Sequence, residues 1–84
     1  MNITPQKKFN VRFQAVQGKS LLVQRNNAYE IDEVGLSIWE LCDGNNSIEK
    51  IAEALTQEYD VEYVQALADC QAFVEDLTSK GLLE

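Results

Sequence analysis

The chain holds fourteen Asp and Glu residues, two cysteines and no histidine among its 84 positions. Acid–base chemistry would therefore have to come from a carboxylate, a Lys, a Tyr or a thiol with a displaced pKa. The acids that lie together, Asp32 with Glu33 and Glu75 with Asp76, are sequence neighbours. Neighbours on a helix point about 100° apart and do not converge on one substrate atom. Their expected state is solvent exposure, with Asp32 as a helix cap. Cys42 and Cys70 fall on apolar faces of predicted helices, which fits reduced, buried thiols better than a disulfide framework. Neither has a His or a second Cys close by in sequence, so no metal pair is expected. Gly18, Gly35, Gly44 and Gly81 are scattered, leaving no glycine-rich loop to cradle a phosphate. Trp39, the single tryptophan, sits four residues after Gly35 on a short helix and is expected to pack rather than to hold a ligand. No catalytic residue and no cofactor is predicted, and binding is the remaining kind of work.

The elements that would position a binding surface are legible in the pattern. Residues Phe9 to Ala15 alternate, with Phe9, Val11, Phe13 and Ala15 on one face and Asn10, Arg12 and Gln14 on the other, as in a half-buried strand. Gln17-Gly18-Lys19 supplies a turn, and Ser20 to Gln24 a second strand carrying Leu21, Leu22 and Val23. Asn26-Asn27 marks the next turn, because Asn tolerates the left-handed backbone of tight hairpins. A short third strand, Ala28 to Ile31, pairs Tyr29 with Ile31 on one face and Ala28 with Glu30 on the other; alternation alone leaves open which pair points inward.

Asp32 stands where a helix N-cap belongs, and Val34, Ile38 and Leu41 follow at helical spacing, predicting a helix from Glu33 to Cys42. Asp43-Gly44-Asn45-Asn46 breaks it. Ser47 caps a second helix whose stripe is Ile48, Ile51, Ala52, Leu55 and Tyr59, with Glu49 favourably placed in the first turn. Asp60 is expected to cap a third helix that stops at Lys80-Gly81 before Leu82 and Leu83. Around that helix, Tyr63, Ala66, Leu67, Cys70, Phe73, Val74 and Leu77 share an arc of about 120° that should face the core. Beyond it lies a ridge of Val61, Val64, Ala68 and Ala72, interrupted by Glu75, which either packs on another helix or floors a groove.

Charge is divided along the chain. Residues 1–25 carry Lys7, Lys8, Arg12, Lys19 and Arg25 and no acid, a formal +5. Residues 26–84 carry all fourteen acids against Lys50 and Lys80, which is −12, and the two parts sum to the chain's −7. An acidic helical half repels phosphate backbones, so no nucleic-acid partner is expected, and it attracts basic peptides. No apolar run approaches the ~20 residues of a membrane span, and the first residues lack a signal-peptide layout. A cytoplasmic protein forming one domain over residues 1–84 is the expectation.

The residues then reach a known pattern. Ile38-Trp39-Glu40-Leu41-Cys42-Asp43-Gly44, Ser47-Ile48 with Ile51-Ala52 and Leu55, Tyr59 before Val61, and Asp69-Cys70-Gln71-Ala72-Phe73-Val74 through Leu77 to Gly81-Leu82-Leu83 together resemble the PqqD-like family. The resemblance covers residues 21 to 83. Ile31-Asp32 and Val34-Gly35 depart from the Leu-Asn and Thr-Ala or Ser-Ala pairs usual before the first helix, and Asp69-Cys70 from a frequent Asp-Val.

The resemblance implies an α+β, winged-helix-like fold: a three-stranded antiparallel β-sheet followed by three α-helices. It also implies a recognition element for ribosomally made, post-translationally modified peptides, in which a precursor's leader segment adds as a strand to the third strand. Carried onto this chain, the edge is Ala28, Tyr29, Glu30 and Ile31, and the helical wall is Val64, Leu67, Ala68, Gln71 and Glu75. The partners implied are a precursor leader peptide and a separate processing enzyme. That enzyme is either a leader peptidase, as in lasso-peptide pathways and the reading favoured here, or a radical enzyme, as in quinone-cofactor biosynthesis.

Other classes fit less well. A winged-helix DNA-binding domain, or a protein-interaction domain of that shape, shares the order of elements. Yet residues 61–80 hold Glu62, Asp69, Glu75 and Asp76 against Lys80, a net −3 that opposes phosphate contacts. An acidic carrier protein would need an Asp-Ser-Leu attachment pattern at a helix start, which is absent.

Overall fold

A computed structural model describes residues 4–84. Its elements are three strands, β1 (Arg12–Val16), β2 (Lys19–Gln24) and β3 (Asn27–Ile31), then three helices, α1 (Glu33–Leu41), α2 (Ile48–Glu58) and α3 (Tyr63–Ser79). The strands form one antiparallel sheet in the order β1-β2-β3, which is the α+β arrangement expected. Two-residue turns join them, since Val16 pairs with Lys19 and Gln24 with Asn27. Gln17 (φ 51°) and Gly18 (φ 81°) take left-handed backbone in the first turn. In the second, the left-handed residue is Arg25 (φ 55°) rather than either Asn, and Asn27 pairs with Gln24 as the first residue of β3.

The helices begin and end for local reasons. Asp32 accepts a hydrogen bond from the Gly35 amide at 2.7 Å, and Ser47 accepts one from the Lys50 amide at 3.2 Å, both satisfying donors that a helix N-terminus leaves open. α3 starts later than its sequence suggests. The Val61 amide bonds the Tyr59 carbonyl at 2.9 Å and holds 59–61 in a turn, so Glu62 occupies the N-cap position without a side-chain bond, and Asp60 lies before it. Tyr63, expected in the core, is consequently on a projecting first turn and exposed.

The core lies where α2 and α3 pack together and meet α1 and the inner face of β2 and β3. Leu22, Ile38, Ile51, Leu55, Leu82 and Leu83 are essentially inaccessible, and Trp39 is buried among them as anticipated. The Tyr59 hydroxyl ties α2 to α1 through Ser37 Oγ at 2.9 Å and the Glu33 carbonyl at 3.3 Å.

The first strand departs from its alternation pattern. Every residue of β1 is exposed, and Phe9 lies before the strand, in a turn, at 95% exposure. The segment ahead of it is diverted elsewhere. Pro5 is buried, the Gly44 amide bonds the Pro5 carbonyl at 3.0 Å, the Lys7 amide bonds the Cys42 carbonyl at 3.2 Å, and the Lys8 amide bonds the Leu82 carbonyl at 3.1 Å. The Glu84 amide donates to the Gln6 carbonyl at 2.9 Å. Residues 5–8 thus clasp the segment after α3 and the loop after α1, and Lys7 Nζ stands 5.6 Å from the Trp39 ring centroid.

Both cysteines are free and buried. Burial pushes the Cys42 thiol up to about 12, with Lys7 opposing, and the Cys70 thiol up to about 11, with Asp69 adding to the rise. The unfolded chain releases these protons near the ordinary thiol value, while the folded chain holds them. Thiol ionisation therefore leaves stability untouched below that value and erodes it as pH rises from there through 11 to 12. Alkylation at pH 8 is expected to be slow in the native protein and rapid in urea, read by mass spectrometry; fast native labelling would show that the sites open readily.

Candidate functional site

β3 is an edge strand beside α3. In an antiparallel pair closed by a two-residue turn, the residues flanking the turn exchange hydrogen bonds and the pattern then alternates. Asn27, Tyr29 and Ile31 therefore bond to β2, while Ala28 and Glu30 direct their N–H and C=O groups outward. The side chains follow the same alternation: Ile31 is buried and Tyr29 half-buried, whereas Ala28 and Glu30 are exposed. Tyr29 and Ile31 are the inward pair that the sequence left undecided.

A groove of about 680 Å³ runs along this edge, lined by Ala28 to Asp32 on one side and by Phe73, Asp76, Leu77 and Lys80 on the other. A second hollow of about 530 Å³ shares Asp32, Phe73 and Asp76 with it and continues past α1 through Val34, Gly35, Ile38, Asp69 and Ala72. Together they form one trough. Lys80 closes one end by pairing with Asp76 at 2.7 Å and standing 5.6 Å from the Tyr29 ring centroid. At the other end Gly35 allows close approach, since a Cβ there would lie 2.9 Å from Phe73 Cε2 and 3.0 Å from Asp32 Oδ1.

The trough is acidic, with Glu30, Asp32, Asp69 and Asp76 facing one lysine. Among the described residues no three His, Cys, Asp or Glu side chains are grouped so as to hold a metal. What the geometry offers is two backbone donor–acceptor positions at a free strand edge, an aromatic floor at Phe73, and a rim of carboxylates.

Of the nine residues expected at the site, Ala28, Tyr29, Glu30 and Ile31 line the trough. Val64, Leu67, Ala68, Gln71 and Glu75 line neither part of it. On a wheel, Asp69, Ala72, Phe73, Asp76 and Lys80 form one stripe, and the ridge of Val64, Ala68, Gln71 and Glu75 is centred about 125° away. Val64, Ala68, Gln71 and Glu75 are exposed, so that ridge is not packed on another helix. The signal that would have found the lining is the spacing of Asp69, Phe73, Asp76 and Lys80, successive steps of four, three and four along one flank of the core arc.

A small α+β domain with a free sheet edge set over a trough has the geometry of a module that takes up an extended peptide. Residues 19–83 match the family described as Coenzyme PQQ synthesis protein D (PqqD), and the chain belongs to that family. Among curated relatives, it is 30% identical over 74 residues to the bifunctional coenzyme PQQ synthesis protein C/D of Methylorubrum extorquens, covering 88% of this chain and 20% of that protein. It is 25% identical to the PqqA binding protein of Rhizobium meliloti, covering 82% of this chain and 70% of that one. The chain thus spans about a fifth of the first relative's length. Two solved structures share its fold and more than a quarter of its sequence. TbiB1 in complex with the TbiA(beta) leader peptide superposes with TM-score 0.81 and 26% identity, covering 94% of each chain. The PqqD truncation of Methylobacterium extorquens PqqCD, described as a stand-alone recognition element for ribosomally synthesised and modified peptides, gives 0.82 and 27% over 95% of this chain and 87% of that one.

Proposed function

We propose that this chain binds the leader segment of a ribosomally made precursor peptide by strand addition to β3 and presents it to a separate processing enzyme, a leader peptidase or a radical enzyme. The observation that carries this reading is the outward N–H and C=O of Ala28 and Glu30 over the trough. Main-chain pairing of that kind supplies affinity, and flanking pockets read alternate side chains. The names of the relatives support it, since one is a PqqA binding protein and another was solved with a leader peptide. Residues 1–84 act as one recognition domain, in the cytoplasm where precursors are made, and catalyse nothing themselves. No described helix is long and apolar enough to cross a membrane.

The strand half of the contact is Ala28, Tyr29, Glu30 and Ile31. The helical half moves from the ridge of Val64, Leu67, Ala68, Gln71 and Glu75 to the trough-lining Ala72, Phe73, Asp76, Leu77 and Lys80. Apolar filling around Phe73 dominates affinity, because exposed ion pairs contribute only ~0 to 1 kcal/mol. Calorimetry and amide NMR with the leader of the precursor encoded beside this chain's gene test the reading. Heat and shifts at Ala28–Ile31 and Ala72–Lys80 are expected; their absence overturns it. Ala72→Glu should weaken binding about tenfold or more, while Ala68→Glu leaves it unchanged. The opposite result would put the contact back on the far ridge.

A further inference from the structure

The sheet has a second free edge. Among the described residues β1 pairs with β2 alone, and its five residues are all exposed. Because Val16 and Lys19 flank a two-residue turn, Arg12, Gln14 and Val16 bond to β2, and Phe13 and Ala15 direct their N–H and C=O away from it. Phe13 and Val16 are each 44% exposed. A free edge is a template for another chain's strand, which proteins usually blunt with proline, a bulge or charges. Here the register runs unbroken from Arg12 to Val16, no proline interrupts it, and Arg12 is the strand's one charged residue.

The surroundings of this edge are basic. Arg12, Lys19 and Arg25 are exposed, and no acid occurs in residues 1–25. We propose that β1 is the docking edge for the processing enzyme, which contributes an extended, acidic segment as a fourth strand. This rests on the leader-binding reading above: leader at β3, enzyme at β1, and the sheet between them. Charge selects the edge, since an acidic segment is repelled by the −12 of residues 26–84 and drawn to the exposed Arg12, Lys19 and Arg25. Charge also disfavours a second copy of the chain, because pairing β1 with β1 would bring two basic halves together. A head-to-tail contact, β1 of one copy on β3 of the next, would occupy the edge that the leader needs.

The test uses the purified enzyme encoded beside this chain's gene, the full chain, and two variants. Ala15→Pro removes an outward N–H without taking a bond from β2, and Arg12→Glu reverses the local charge. Wild-type binding to the enzyme should weaken as salt rises. Ala15→Pro should weaken it at least about tenfold, the scale expected for losing a strand hydrogen bond and stranding its partner. Arg12→Glu should weaken it and flatten its salt dependence, and both should leave leader affinity by calorimetry within about twofold of wild type. Unchanged enzyme affinity in both variants overturns the proposal, as does an enzyme that does not bind the wild type. A wild-type dimer in sedimentation that Ala15→Pro dissolves would assign the edge to a second copy and also overturn it. Should Ala15→Pro disturb the fold, seen as lost leader binding, Arg12→Glu decides alone. Absence of leader binding to the wild type would sink the leader reading, which the enzyme titration measures separately.

Discussion

Glu30→Pro is expected to keep the fold and lose the leader peptide by roughly 30- to 150-fold. Proline removes a backbone donor and is tolerated in strands only where that donor faces away from the sheet. Glu30 is such a position, because it stands opposite Leu21 in a pair that exchanges no hydrogen bonds. The change therefore takes nothing from the β2–β3 ladder, but it deletes the outward N–H, leaves the leader's carbonyl unpaired and sets a ring on the edge. A lost bond with a stranded partner amounts to about 2 to 3 kcal/mol, hence the range. Tyr29→Pro, one residue earlier, removes a donor that bonds to Leu22 and should instead lower the melting temperature. Calorimetry for affinity and thermal melts for stability distinguish the two. Wild-type affinity in a folded Glu30→Pro protein would show that the leader does not pair with β3.

Gly35→Val is expected to destabilise the domain by about 2 to 4 kcal/mol. The new Cβ alone would stand 2.9 Å from Phe73 Cε2, 3.0 Å from Asp32 Oδ1 and 3.4 Å from Ile31 Cβ, and valine adds two methyl groups beyond it. Overpacking of this kind costs about 1 to 3 kcal/mol, and shifting Asp32 weakens the 2.7 Å cap on the Gly35 amide, about 1 kcal/mol more. For a chain of this size total stability is about 4 to 13 kcal/mol, so the loss is a large share of it. Urea unfolding measures it directly. Because Phe73 lines both parts of the trough, leader affinity should fall as well, even where the variant remains folded. Wild-type stability would show that Phe73 can turn aside freely, and the trough would then be more adaptable than its geometry implies.

Much of this architecture is readable from the sequence because its causes are local. Asp32 and Ser47 cap because each has an open helix amide three residues further along, and β3 is marked by its short apolar alternation between a turn and a cap. The unreadable parts depend on distant segments. Alternation from Phe9 to Ala15 states that one face could be buried but not that anything covers it, and here the helical layer stops short of β1. The clasp formed by residues 5–8 uses backbone groups, which leave no side-chain pattern. The wheel of α3 identifies the core arc but offers two flanks, and which one faces β3 is set by how the chain returns from α2. The ridge around Ala68 and the stripe around Phe73 are equivalent until that return is known.

The clasp has a bearing on the order in which the molecule assembles. Its partners, residues 5–8 and 82–84, lie at opposite ends of the described chain, so joining them closes the widest loop in the fold. The α2–α3 contacts and the two hairpins form between near neighbours and require little prior organisation. They can come together first and hold Leu82 and Leu83 in place. The N-terminal segment can then close as the final seam, laying Pro5 and Lys7 against a structure already built around Trp39 and Leu82.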